Sequence, residues 1–236
     1  GVGRLASRNG AVLTAGYVLV FLVYQVSLNG LLAAVLGRYL GAEASPEVGL
    51  TYPAPTGVYA LVVLLALVAL STLTVVAVRT FVAGRTDDIP GAYYRRLPWA
   101  TLNLVVGGLA FGLVVLVGSV LLVVPGIVAY VGLSFMTMYV AVEDESFPTA
   151  MLRSWRLVRP EFLSMVGLML VVAVGIGVGG AVVGLVVGAG AGALGGEAAV
   201  GVATSVLNAP LALLPLAILS AAFAQLRGAD GVAGLA

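Results

Sequence analysis

Residues 57–78 read GVYALVVLLALVALSTLTVVAV, a run with no charge. As a helix rising 1.5 Å per residue it is about 33 Å long, enough for a hydrocarbon core of roughly 30 Å. Five other stretches have the same character, and the six expected spans are 11–36, 57–78, 100–123, 127–142, 162–190 and 199–224. The whole chain is apolar to match. Hydrophobic residues make up 61% and charged residues 9%, where soluble domains hold about half and about a quarter. One water-facing core could not hide that much apolar surface. The expected fold is therefore all-α: a single integral-membrane bundle of six helices over residues 1–236, with short interfacial helices on one side.

Spans three and four are separated in the sequence only by Pro125-Gly126. Proline cannot continue a helical ladder and glycine permits a sharp reversal, so a tight hairpin is expected there. One unbroken helix over 100–142 would be about 60 Å long, twice the hydrocarbon thickness. The first span follows Arg4 and Arg8. It is too long for a signal peptide and is expected to stay in the protein.

Arginine placement orients the spans. With the N-terminus inside, ten of the eleven arginines fall on the inner side and only Arg38 on the outer. Both termini are expected in the cytoplasm, in a cell membrane.

What is missing narrows the chemistry. The chain has no cysteine, histidine or lysine. Thiolate and imidazole metal sites are excluded, as are Schiff bases and the commonest general base. No basic stripe exists outside the membrane flanks, so nucleic acid is not an expected partner. Two acidic clusters remain, Asp87-Asp88 and Glu143-Asp144-Glu145. Oxygen ligands of this kind could hold a divalent cation, but no spacing is diagnostic. Helix capping and pairing with Arg85, Arg95 or Arg153 explain them more simply. No cofactor, metal or catalytic residue is expected.

Charge concentrates in VEDESFPTAMLRSWRLVRPEF, residues 142–162. Read as a helix, 151–159 places Met151, Leu152, Trp155 and Val158 on one arc and Arg153, Arg156 and Arg159 on the next. Ser146 suits the N-cap and Pro148 the first turn. Acids at the start and arginines toward the end complement the helix dipole. A helix with tryptophan on one side and arginines on the other belongs at the membrane–water boundary. A similar segment, DDIPGAYYRRLPWATLN, precedes the third span with Arg95, Arg96 and Trp99. Aligning Pro90 with Pro148 superimposes Arg95 on Arg153. Together with GRLASRNG before the first span, this suggests three parallel repeats, each an interfacial segment and a hairpin. The candidate lipid-facing residues are Arg95, Arg96, Arg153, Trp155, Arg156 and Arg159.

Within the spans the polar residues are neutral. Gln25, Asn29, Asn103 and Asn208 either line a cavity or bond helix to helix, and helix bonding is the simpler reading. In the fifth span Gly180, Gly184, Gly188 and Gly192 recur every four residues. Such a stripe admits a close helix neighbour, expected within the chain. Pro125 and Gly126 complete the packing and hinge candidates.

LLVVPGIVAYVGLSFMTMYVAVEDESFPTAMLRSWRLVR, residues 121–159, resembles a widespread prokaryotic membrane-domain family. Pro125, Gly126, Glu143, Ser154, Trp155, Arg156 and Leu157 carry the resemblance. The family includes the membrane domain attached to some glycerophosphodiester phosphodiesterases. The chain looks most like its stand-alone haloarchaeal branch, of unknown function. The resemblance implies a six-helix membrane domain. It implies no hydrolase activity, because that chemistry resides in a separate soluble barrel. The function expected is a non-catalytic module that organises membrane lipids, other membrane proteins or a second copy of itself. The alternative is a transporter with a neutral polar pathway.

Overall fold

A computed structural model describes residues 8–40, 51–83, 91–194 and 214–226. Every regular element among them is helical. In order they are α1 (Arg8–Leu40), α2 (Thr56–Ala83), α3 (Leu97–Leu121), α4 (Val123–Gly132), α5 (Met136–Glu143), α6 (Phe147–Val158), α7 (Phe162–Leu194) and α8 (Leu214–Leu226). Short 3-10 turns cover Gly91–Tyr94 and Arg159–Glu161. Five stretches are long and apolar enough to cross a membrane: Val12–Tyr39, Thr56–Ala83, Leu97–Leu121, Val124–Glu143 and Phe147–Val187. They correspond, with shifted ends, to the first five expected spans. Of the sixth, 199–224, only the part within α8 lies among the described residues, and α8 alone is too short to cross.

The contacts fall into two compact units. The first is built on the described residues of 8–13, 71–175 and 214–226. Its core joins Val75, Val78 and Val82 of α2 with Ala100 and Leu104 of α3, Val131 of α4 and most of α5. Ala150, Val158, Met165 and Phe223 complete it. Tyr139 meets Phe223 edge to face, ring centroids 5.1 Å apart, and Thr72 and Thr101 share a hydroxyl bond of 3.2 Å between α2 and α3. The opposite side of α3 is a stripe of exposed Leu102, Val106, Leu109, Leu113, Leu116 and Val120. So continuous an apolar strip suits lipid and is disfavoured in water.

The α3–α4 hairpin exists, but its turn is not at Pro125-Gly126. The chain reverses at Leu122, whose backbone is extended, φ −159° and ψ 139°. Pro125 instead lies in the first turn of α4, where its missing N–H has no helical partner to lose. Gly126 supplies the close approach: a Cβ there would overlap Ser119 of α3.

The fourth span is broken. Residues 133–135 leave the α ladder as a turn between α4 and α5. Nothing in the local sequence announced this. The fifth span also begins differently from expectation: α6 runs into α7 through the 3-10 turn at Arg159–Glu161, with helical dihedrals at Val158, Arg159 and Phe162. Pro160 removes a backbone donor there.

The second unit is built on the described residues of 14–70 and 176–212. Residues 51–55 lead into α2. Tyr52 meets Ser27 of α1 through their hydroxyls at 3.3 Å, and the Tyr59 hydroxyl donates to the Tyr52 carbonyl. Gly30 is needed below this pair, because a Cβ would overlap the Tyr59 ring.

Candidate functional site

The acid run Glu143-Asp144-Glu145 joins α5 to α6. Asp144 adopts left-handed backbone, φ 54°, which short acids tolerate better than most residues. Three arginines from three parts of the first unit converge on the run. Arg79, near the end of α2, is almost wholly buried; its side chain and that of Asp144 are 5% and 8% exposed. Its Nη2 donates to Asp144 Oδ1 at 2.7 Å, its Nη1 to the Arg95 carbonyl at 2.8 Å and its Nε to the Ala141 carbonyl at 2.5 Å. One guanidinium thus neutralises an acid and caps the C-terminal end of α5, using its fork of donors as a lysine could not. Arg95 reaches Asp144 Oδ2 only at 3.9 Å and is 78% exposed. Arg153 pairs with Glu143 and, at 2.6 Å, with Glu145. Its guanidinium also sits 5.3 Å from the centre of the Tyr139 ring. The Trp99 indole donates to the Asp144 carbonyl at 3.2 Å.

The pairing with Arg95 and Arg153 matches the sequence expectation. Arg79 is the partner that sequence reasoning missed, and Arg85, Asp87 and Asp88 lie outside the described residues. Among the described residues no group of three or more acids is placed to hold a metal ion.

Helix α6 is docked by side chains more than by its own caps. Ser146 occupies the N-cap position and Pro148 the first turn. The Ser146 hydroxyl, however, meets Thr149 Oγ1 at 3.0 Å and caps no backbone N–H. The Phe147 N–H is taken by Asn103 Oδ1 of α3 at 3.0 Å, and Asn103 Nδ2 donates to the Trp99 carbonyl. Asn103 is therefore a capping residue: its oxygen answers the first N–H of α6 and one hydrogen of its amide nitrogen returns to its own helix. Further along, the buried Ser154 hydroxyl donates to the Gly132 carbonyl at 2.8 Å and accepts from the Phe135 N–H at 3.0 Å. It stands in for the missing ladder at the break in the fourth span. Trp155 lies against Gly132, where a Cβ would overlap the indole ring.

With Ala150, Ser154 and Val158 inward, the opposite side of α6 carries Leu152, Trp155, Arg156 and, at the following turn, Arg159, all exposed. Arg96 and Trp99 are exposed at the start of α3. Among the described residues no acid pairs with Arg96, Arg156 or Arg159. The six predicted interface residues therefore divide. Arg153 is committed to the acid run and Arg95 leans on it, while Arg96, Trp155, Arg156 and Arg159 face outward.

The expected equivalence of the two interfacial segments does not hold in local structure: a four-residue 3-10 turn precedes α3, and a twelve-residue α-helix precedes α7. The third segment, at the N-terminus, lies almost wholly outside the described residues. Gln25 is half-buried in the second unit and Asn29 there is already engaged. Asn208 lies outside the described residues. Gly180, Gly184 and Gly188 are all in α7. A Cβ at Gly184 meets no atom within 4 Å, so the close intrachain neighbour expected at that position is not found among the described residues.

No curated protein and no solved structure matches the chain. Residues 1–226 match a family described as a domain of unknown function, DUF7847; the chain belongs to that family.

Proposed function

We infer that this chain is a non-catalytic multi-pass module of the cell membrane that gathers anionic lipids on its cytoplasmic side. The observation that carries this is the division of the arginines. Arg79, Arg95 and Arg153 answer the three acids at residues 143–145, while Arg96, Arg156 and Arg159, beside exposed Trp99 and Trp155, have no acid partner among the described residues. Arginine next to tryptophan at the end of apolar helices suits phosphate headgroups and the interfacial layer. The same surface would serve an acidic partner protein or a second copy. Placing both termini in the cytoplasm rests on the ten-to-one arginine count. The likeness to the membrane domain of some phosphodiesterases, and a haloarchaeal source, rest on Pro125, Gly126, Glu143 and the Ser154–Leu157 run.

Native mass spectrometry of the protein extracted with its lipids tests the reading. Changing Arg96, Arg156 and Arg159 together to Gln is expected to strip retained anionic lipid, while Arg153→Gln keeps it. Equal lipid retention in all three proteins would sink the proposal.

The break at 133–135 favours a second reading, a transporter, because discontinuous helices are common around transport sites. The chain has no cysteine, so a single Ser134→Cys reports water at the break directly. Labelling by a membrane-impermeant maleimide would favour transport; protection would favour the module.

A further inference from the structure

Beyond a diffuse basic surface, we propose that the first unit holds one discrete lipid site: a groove between α3, α4 and α7 that takes an acyl or isoprenoid chain, with the lipid phosphate on Arg156 and Arg159. This rests on the anionic-lipid reading above and makes it stoichiometric. The groove has a volume of about 390 Å³ and is lined by Ser119, Gly126, Tyr130, Val131, Met169 and Ala173, among others. That is within the range of ligand sites, roughly 300–1,000 Å³.

Two relationships tie this apolar groove to Arg156 and Arg159. First, α7 continues the helical path from Arg159. Counting 3-10 geometry to Phe162 and α geometry beyond, Arg159 falls within about 40° of Val166, so both lie on one face. The groove-lining Val166, Met169, Leu170 and Ala173 share that face at helical spacing. By the same geometry Ala173 is about 22 Å from Arg159 along the axis. One leaflet of hydrocarbon is about 15 Å and its headgroup layer some 5–7 Å, so the path matches one lipid. Second, Trp155 packs beside the α4 end of the groove lining. Its ring lies on Gly132, the neighbour of groove-lining Val131, and Arg156 follows it in α6.

Charge complementarity chooses the occupant. Among the described residues neither Arg156 nor Arg159 has an acid, whereas Arg153 has two. A lipid of no net charge brings its phosphate already balanced by its own cation, whereas the phosphate of an anionic lipid is uncompensated and answers these guanidiniums; bidentate contact with phosphate is what arginine does best.

The test uses the full chain in vesicles. Trp99 and Trp155 are its only tryptophans, so Trp99→Phe leaves one reporter beside the groove. Its emission is quenched with chain-brominated phosphatidylglycerol or chain-brominated phosphatidylcholine in an unbrominated phosphatidylcholine background. Phosphatidylglycerol should quench at a several-fold lower mole fraction and saturate. Arg156→Gln with Arg159→Gln should erase that preference. Ala173→Phe and, separately, Met169→Phe should each reduce it by filling the groove. A preference that survives both groove fillings overturns the discrete site and leaves the basic surface standing. Equal quenching by the two lipids in the Trp99→Phe protein overturns both. Loss of the preference on adding inorganic phosphate alone would make the ligand a free anion and also overturn the lipid site.

Discussion

The Ser154 hydroxyl bonds both to Phe135 N–H and to the Gly132 carbonyl, 3.0 and 2.8 Å away, across the break in the fourth span. A side chain from α6 thereby supplies what the α4–α5 backbone gives up. Its position is completely buried, so no water can take over. Ser154→Ala is expected to leave a buried donor and acceptor unpaired and to cost about 1–3 kcal/mol. Unfolding in detergent, followed by helical circular dichroism, measures the loss. Ser154→Thr keeps the hydroxyl and should lose less than Ala unless its extra methyl cannot be housed. An alanine variant as stable as wild type would mean the break needs no pin.

Arg79 and Asp144 form the second buried junction. Removing either alone strands the other charge away from water, which costs about 3–5 kcal/mol. Arg79→Met and Asp144→Leu should each be severely destabilising, and the double variant should recover much of the loss. Recovery will not be complete, because Arg79 also holds the carbonyls of Ala141 and Arg95. Arg79→Lys should fail as a conservative change, lacking the fork that reaches three acceptors. Additive single losses in a double-mutant cycle would show the two residues to be uncoupled.

Much of this was legible in the sequence, and the exceptions have a common cause. The five described spans follow from apolar runs, a property that each stretch carries by itself. Pro148 in the first turn and the acid–arginine pairing at residues 143–153 are likewise short-range. The break at 133–135 was not legible, because Leu133, Ser134 and Phe135 include no helix breaker and the hydroxyl that stabilises it lies 19 residues on. Arg79 read as an ordinary topology mark, since its acid is 65 residues away. At the hairpin the right residues were noticed in the wrong role. Proline is favoured inside a helix's first turn as well as before it, and the reversal went to Leu122.

Glycine tells the same story in a testable form. The repeat at Gly180, Gly184 and Gly188 suggested sensitivity there, yet a Cβ at Gly184 meets no atom of the described residues while one at Gly132 collides with Trp155. Gly132→Ala should therefore cost about 1–3 kcal/mol through overpacking. It should also shift Trp155 emission in a Trp99→Phe background. Gly184→Ala should be neutral or stabilising by up to about 1 kcal/mol, the usual gain from replacing glycine within a helix. The reverse order of sensitivity would contradict the packing described.

Arg153 and Arg156 stand three residues apart on α6 and should behave as different kinds of residue. Arg153 bridges Glu143 and Glu145 and covers Tyr139, but its side chain is 41% exposed. Solvent therefore discounts each pair to about 1 kcal/mol or less. Arg153→Gln should lower the unfolding midpoint modestly, more at low salt than at high, and leave anionic-lipid retention intact. Arg156→Gln should leave the midpoint where it is and weaken lipid retention, since no described acid depends on it. Measuring both properties on both variants separates a structural arginine from a surface one. If Arg153→Gln lost lipid while Arg156→Gln lost stability, the division of the arginines, and the function inferred from it, would be wrong.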